Sequence, residues 1–294
     1  MSRLAVVITD FNGFLRTRQC LVALFEAGLS LDVIVVDHGT SADTREALAT
    51  EFPGITRLEA SPDLWWAGAT NRGVALALER GATAVMLLNN DCYFAAGSLV
   101  ELLAQHAAHP EAIVAPVQRD LGSGEVLVIT LRSLPLLGFP TLRGSCALGE
   151  GLRERGVVPT PLIPGGRGAI IPAAVLGAVG LLDEQLLPHY YADHDFYLRA
   201  RARGVPLLIA TRACVLVDDA TTTIAANPGR LDFAGFRETL HSRRSHHNID
   251  DVTVLFRRHL ALPGLAGMGV FLYTARYFLL WLLRRARFIC GRRH

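Results

Sequence analysis

Little in this 294-residue chain speaks for an excess of one charge, because 29 basic side chains stand against 27 acidic ones. That balance withholds the broad basic face on which nucleic-acid binding depends, and no nucleic-acid partner is expected. Cysteine is scarce as well. Cys20, Cys92, Cys146, Cys214 and Cys290 are odd in number, scattered, and never spaced as Cys-x-x-Cys, which suits reduced thiols of an intracellular protein better than a disulfide framework. The N-terminus lacks the basic start, long apolar stretch and small-residue cleavage site of a signal peptide, so secretion is not expected. Internal repeats and low-complexity tracts are missing too.

Apolar residues, in contrast, reach 51%, enough for a large core with apolar surface left over for a membrane. Residues 4–9 (LAVVIT) form a β-branched apolar run followed by a polar turn with Asn12 and Gly13 and a helix-compatible stretch at 15–27. The unit recurs: 31–36 (LDVIVV) is a second buried-type strand, DHGTS a turn, and 42–52 helical; 55–60 reads as a third strand, 69–80 as a helix, and 84–88 (AVMLL) as a fourth strand ending in Asn89, Asn90 and Asp91. Strands alternating with helices predict an α/β fold with a Rossmann-like, mostly parallel sheet flanked by helices. In such sheets ligands bind beyond the carboxyl ends of the strands, which brings Thr9, Asp37 and Asp91 to one crevice.

From 118 to 164 glycine and proline recur without a clear period, and loops with irregular strands are expected. Beyond it, GGRG leads into an apolar strand at 169–171 and helices at 173–179 and 191–203. The segment 260–283 is apolar but interrupted by Pro263 and glycines, too broken for a confident membrane span. Its aromatic residues, followed by Arg284, Arg285, Arg287, Arg292 and Arg293, suit a helix lying at an anionic membrane surface; packing on protein is the plainer alternative. The boundaries expected are 1–225 for a catalytic domain and 226–294 for a helical, membrane-associating extension.

Two carboxylate sites stand out. Asp91 closes an apolar strand and is the kind of oxygen donor that Mg2+ or Mn2+ takes singly, although Asn-Asn-Asp is also ordinary turn chemistry. Asp193 and Asp195, two apart, do not share a helix face. At most one is expected to enter the crevice, where it can accept a proton from an attacking hydroxyl; helix capping is the alternative. His241, His246, His247 and Asp250 match no metal-ligand spacing, and SRRSHHN reads as a solvated face or a contact for acceptor phosphate. The glycines of GGRG do not make a phosphate loop; they permit close backbone approach.

In order, VVITDFNG, VIVVDHGTSADT, LWWAGATNRGV, MLLNND, GGRGAIIPAAVLGAVGLLDEQ and LPHYYADHDFYLRARARG resemble the family 2 glycosyltransferases of GT-A fold, especially bacterial rhamnosyltransferase-like members, over about residues 5–218. The resemblance implies that Thr9 and Phe11 sit beside the nucleotide base and that Asp37 binds base or ribose. It places Trp66, Asn71 and Asn90 at the nucleotide sugar, Asp91 on a Mg2+ or Mn2+ ion, and Asp193 as catalytic base. The activity implied is inverting transfer of a hexose or deoxyhexose from a UDP- or dTDP-sugar to a hydroxyl of a cell-surface glycan or lipid-linked acceptor. The setting would be the cytoplasm, peripheral at the inner membrane face. The chain departs from the family pattern at Asn89, where an acid opens the metal triplet, at Ala192 before Asp193, where a glutamate is frequent, and at Asp218 and Asp219, where a histidine often stands. A catalytically inactive nucleotide-sugar-binding or scaffolding relative is the alternative outside catalysis. A sugar nucleotidyltransferase is the rival enzyme, but ITDFNGFLRTR is a poor pyrophosphate loop.

Overall fold

The computed structural model describes residues 3–39, 41–144, 150–218 and 228–291. The chain forms two compact units: Met1–Arg132 with Arg143–Glu184 and Ala192–Asp219, and Ser133–Leu142 with Gln185–Tyr191 and Ala220–His294. Two short earlier segments thus join the C-terminal one in the second unit.

The first unit opens with β1 (Leu4–Asp10), α1 (Phe14–Phe25), β2 (Asp32–Asp37), α2 (Ala42–Glu51), β3 (Thr56–Glu59), α3 (Trp65–Glu79) and β4 (Ala84–Asn89). These are the alternating elements expected from the apolar runs. They continue through β5 (Cys92–Phe94), α4 (Ser98–Ala108), β6 (Ile113–Asp120) and β7 (Val126–Val128); β8 (Leu131–Leu134) and β9 (Phe139–Arg143) then pair as a two-stranded ribbon, most of which belongs to the second unit. After it come α5 (Glu150–Glu154), β10 (Val157–Pro159), β11 (Ala169–Pro172), α6 (Ala173–Val179), α7 (Ala192–Ala202) and β12 (Leu207–Val217). Among its described residues the stretch 118–164, expected to be irregular, holds short strands, the short helix α5 and a single 3-10 turn at Pro135–Leu137.

The main sheet runs β10-β12-β6-β11-β4-β1-β2-β3. Strands β3, β2, β1 and β4 are parallel, β11 joins them antiparallel, and β6 and β12 form a further parallel pair. The chain steps outward from β1 to β2 and β3, then returns to the other side of β1 with β4. That reversal leaves a crevice at the carboxyl ends of β1, β2 and β4. Thr9 lies in register with Val36 on one side and Asn89 on the other. Beneath the crevice α3 lies tight on the sheet because residue 73 is glycine: a Cβ there would come within 2.4 Å of a Val7 methyl.

Beside most of that ribbon, the second unit holds the helices α8 (Phe233–His241), α9 (Ile249–His259) and α10 (Ala266–Gly291). Asp232 and Asn248 cap α8 and α9 by accepting hydrogen bonds from the first-turn amides of Gly235 and of Asp250 and Asp251. Phe236, Leu240, Tyr277 and Trp281 form its core, with the Phe236 and Trp281 rings stacked at 4.8 Å. Two expectations are corrected here. Residues 242–248 are a solvated face only in part: Arg243 and Arg244 are exposed, but Ser245 and Asn248 are buried, and the His247 ring stacks on Tyr277 at 3.6 Å. Burial, with His246, Arg276 and Arg284 nearby, pushes the His247 pKa down to about 2. The segment read as broken is continuous from Ala266 to Gly291, long and apolar enough by length and composition to cross a membrane. Gly269 serves packing, since a Cβ there would overlap the Pro135 carbonyl oxygen at 2.1 Å.

Candidate active site

At the end of β1, Asp10 is fully buried, and one of its oxygens accepts from the Gly13 amide at 2.8 Å and from the Asn90 side-chain amide at 3.3 Å. Asn90 donates also to the Thr17 hydroxyl at 3.0 Å. The loop after β1 is thereby tied to the Asn-Asn-Asp turn after β4. Burial pushes the Asp10 carboxyl above its ordinary range, opposed by the Gly13 and Thr17 hydrogen bonds and helped by Asp37; its second oxygen has no partner among the described residues. Phe11 is 56% exposed with its ring 5.4 Å from that of His38. Below it, Gly39 at φ +120° leaves the space Phe11 occupies, for a Cβ would meet that ring at 2.7 Å. Asp37 is buried and takes the Arg45 guanidinium at 2.9 Å.

Asp91 is buried just past β4. It accepts a hydrogen bond from the Cys92 thiol at 3.3 Å, and its carbonyl accepts from the Asp218 amide at 2.9 Å. Burial raises its carboxyl above the ordinary range, while Arg167, the Cys92 thiol and Arg16 pull it down. Arg16 is paired with Asp218 at 2.9 Å, so the aspartate standing where a histidine was expected is neutralised by its own partner. Asn89, at the triplet's first position, accepts from the Trp66 indole at 3.1 Å. Among the described residues no three side chains of metal-ligand type converge. A cation here would take Asp91 as its protein carboxylate and complete its shell with other oxygens, a habit of Mg2+ and Mn2+.

The loop 165–168 joins these groups to Asp193. A Cβ on Gly165, which has φ +77°, would stand 3.4 Å from an Asp193 oxygen, and one on Gly166 would strike the Trp66 ring at 2.8 Å. Hydrogen bonds hold the loop and the residue before it. Gly168 donates to the Leu87 carbonyl at 2.8 Å, the Tyr197 hydroxyl to the Gly165 carbonyl at 3.1 Å, and the Gln118 amide to the Pro164 carbonyl. Arg167 donates to the Gln118 side chain at 3.2 Å. Asp193, in the first turn of α7, is 16% exposed and has one oxygen held by the His194 amide at 2.7 Å. Asp195 is fully buried and paired with Arg199 at 2.8 Å. The two acids thus divide as their spacing requires.

Asn71 stands apart. Its amide donates to the Leu182 carbonyl at 2.9 Å and to Glu184 at 2.7 Å, and its oxygen accepts from the Leu182 amide at 3.0 Å, so its polar atoms fasten α3 to the 182–184 segment. The structure also adds groups to which no role was attached: Asp10, Arg16, Thr17, Arg167 and Gln118. Of these only Asp10 carried a sequence signal, as the acid following Thr9 at the end of an apolar strand.

The alternating strands and helices and the reversal at β1 define an α/β domain of GT-A type. The chain belongs to glycosyl transferase family 2, whose model matches residues 5–153. Comparison with curated proteins finds no matching sequence. Among solved structures, GalNAc-T7 with UDP, GalNAc and Mn2+ is similar at a TM-score of 0.58 and 13% identity, over 74% of this chain and 44% of that one. TarS 1-349 of S. aureus, solved also in complex with UDP, is similar at a TM-score of 0.55 and 13% identity, over 94% of this chain and 72% of that one. At such identity the likeness is one of fold. The chain spans less than half the length of GalNAc-T7.

Proposed function

We propose that this chain is an inverting glycosyltransferase that moves a hexose or deoxyhexose, a rhamnosyl group among them, from a UDP- or dTDP-sugar to a hydroxyl of a cell-surface glycan or lipid-linked acceptor. It would work in the cytoplasm at the inner membrane face. The observation that carries this reading is the 165–168 loop, against which both Asp193 and the Trp66 ring are seated, Trp66 in turn bonding Asn89 two residues before Asp91.

In this reading Phe11 offers an open ring face to the base, with Thr9 and Asp37 lining the ends of β1 and β2. Asn90, fixed by Asp10 and Thr17, shapes the turn that presents Asp91. Trp66 walls the sugar, and Asn71 acts indirectly by fixing α3. Asp91 would hold Mg2+ or Mn2+, which when bound neutralises charge developing on a diphosphate leaving group. Asp193 takes the proton of the acceptor hydroxyl through the oxygen beside Gly165, where the missing side chain leaves room. Attack from the face opposite the leaving group inverts the anomeric centre.

The test is a binding and product-release screen of the purified chain against UDP-, dTDP- and GDP-sugars with Mn2+ or Mg2+. One donor should stabilise the protein and be turned over. Asp91→Ala should weaken the cation-dependent part of binding, and Asp193→Asn should bind the donor without transfer. Binding without turnover by the unaltered chain, across all acceptors tried, would favour the scaffolding alternative, and no binding at all would sink the reading.

A further inference from the structure

We propose that α10 is an in-plane membrane anchor: its outward face lies in the acyl-headgroup boundary of an anionic bilayer while its inward face stays seated on the second unit. This deepens the acceptor half of the function proposed above, and its test does not use the transfer reaction, so either can fail without the other.

The helix has two faces of different fate. Tyr273, Tyr277 and Trp281 are buried at 3–7% exposure. The Tyr277 hydroxyl pairs with Thr239 at 2.9 Å, the Trp281 indole donates to the Leu231 carbonyl at 3.1 Å, and the Tyr273 hydroxyl meets His247. At about 100° per residue, Met268, Phe271, Leu272, Leu279, Leu282 and Leu283 fall within roughly 120° of arc centred opposite that stripe. All six are exposed, from 39% for Leu272 to 69% for Phe271. With Ile289, exposed at 45%, this apolar face runs for about 32 Å at the helical rise. A face of that length on a water-facing helix marks an interaction surface.

Charge identifies the occupant. From residue 260 to the end the chain has Arg276, Arg284, Arg285, Arg287, Arg292 and Arg293 and no acid, and it contains no lysine anywhere. On the helical wheel Arg285 borders one edge of the apolar face and Arg287 the other. Guanidinium groups flanking an apolar stripe meet both demands of an anionic leaflet, phosphate at the headgroups and hydrocarbon below them. Two copies of this face packed together would instead bring like charges close. Spanning is opposed by the inward face. It is fastened to α8 and α9, which carry Arg237, Glu238, Asp250, Asp251, Arg257 and Arg258, and drawing such groups into hydrocarbon is costly.

The test is flotation of the purified full chain with phosphatidylcholine vesicles, with and without phosphatidylglycerol, alongside carbonate extraction of membranes from expressing cells. The unaltered chain should float with the anionic vesicles, lose binding as salt rises, and be released by carbonate. Phe271→Ser with Leu279→Ser should lower partitioning roughly 100-fold, and Arg285→Gln with Arg287→Gln roughly 30-fold. Both pairs should keep the thermal midpoint and nucleotide binding of the parent. Resistance to carbonate would overturn the in-plane arrangement in favour of a span. Equal binding to neutral vesicles by all variants, or no vesicle binding with a dimer in sedimentation that the serine pair dissolves, would overturn the proposal itself.

Discussion

Asp193 and Asp195 are chemically identical and two residues apart, yet the structure predicts opposite consequences for removing their charge. Asp195 has no exposure and receives Arg199 at 2.8 Å. The same guanidinium donates to the Val179 carbonyl at 2.8 Å and the Leu181 carbonyl at 2.7 Å, so the pair closes the end of α6 onto α7. Breaking one partner of a buried ion pair leaves the other uncompensated and costs about 3–5 kcal/mol. Asparagine keeps one acceptor oxygen, which sets Asp195→Asn near the lower limit, about 3 kcal/mol. For a unit of this size that is a fall of roughly 6–12 °C in Tm.

Asp193→Asn removes a partly exposed carboxylate that holds the His194 amide, has the His194 ring 3.6 Å away, and makes no hydrogen bond to another chain segment among the described residues, so its Tm should shift by no more than about 1 °C. If it is the proton acceptor, kcat should fall on the order of 100- to 10,000-fold while donor KM stays within a few-fold. The assay is a thermal melt of each variant followed by initial rates at a temperature where both are folded. Asp195→Asn should retain most of its kcat per folded molecule. A variant at Asp195 that melts with the parent, or one at Asp193 that turns over at the parental rate, would refute the division of labour.

Gly73→Ala sets better helix propensity, worth about 1 kcal/mol, against a Cβ only 2.4 Å from Val7. Overpacking at about 1–3 kcal/mol should win, and a variant melting at or above the parental midpoint would contradict the close packing. Trp66→Phe removes the donor to Asn89; at about 1 kcal/mol for a hydrogen bond the expected rise in donor KM is roughly fivefold, read by initial rates, and an unchanged KM would detach Trp66 from the site. Asp251, buried with one oxygen lacking a partner among the described residues, has its carboxyl raised to about 7 from an ordinary 3.8 by burial and by Asp250. The unfolded chain therefore releases the proton before the folded one does, and stability falls as pH rises from about 4 through 7, by up to about 4 kcal/mol. Asp251→Asn should flatten that decline in denaturant titrations at pH 5 and pH 8; an equal slope in both proteins would show the proton is not held.

Strand ends were the legible part of this chain. An uninterrupted β-branched run that stops at a polar residue marks both a buried strand and the place where its carboxyl end emerges, and Thr9, Asp37 and Asp91 all stand at such a change. A helix whose apolar period is clear, such as α1, was equally readable. The start of α3 was not: Trp65 enters it at φ +53° after a turn capped by Ser61, and a left-handed tryptophan is outside any propensity rule. The α10 segment was misread for the opposite reason, since its glycines looked like breakers, when Gly269 is a contact point for the 135–137 turn and Gly267 sits within a continuous helix.

What sequence alone withheld is pairing. Asp10 with Asn90 spans 80 positions and Arg16 with Asp218 spans 202, and no local pattern couples residues so far apart. These pairings alter the chemistry of the acids they touch. With Arg16 on Asp218 and Trp66 on Asn89, two side chains that flank Asp91 in space are already engaged. A cation at Asp91 would then depend on its other ligands more than one held by a full carboxylate cluster. In this chain, divalent-cation affinity should therefore be weak alone and strong only with a nucleoside diphosphate present. Titrating Mn2+ by its relaxation effect on water, with and without UDP, checks that dependence, and tight Mn2+ binding without nucleotide would refute it.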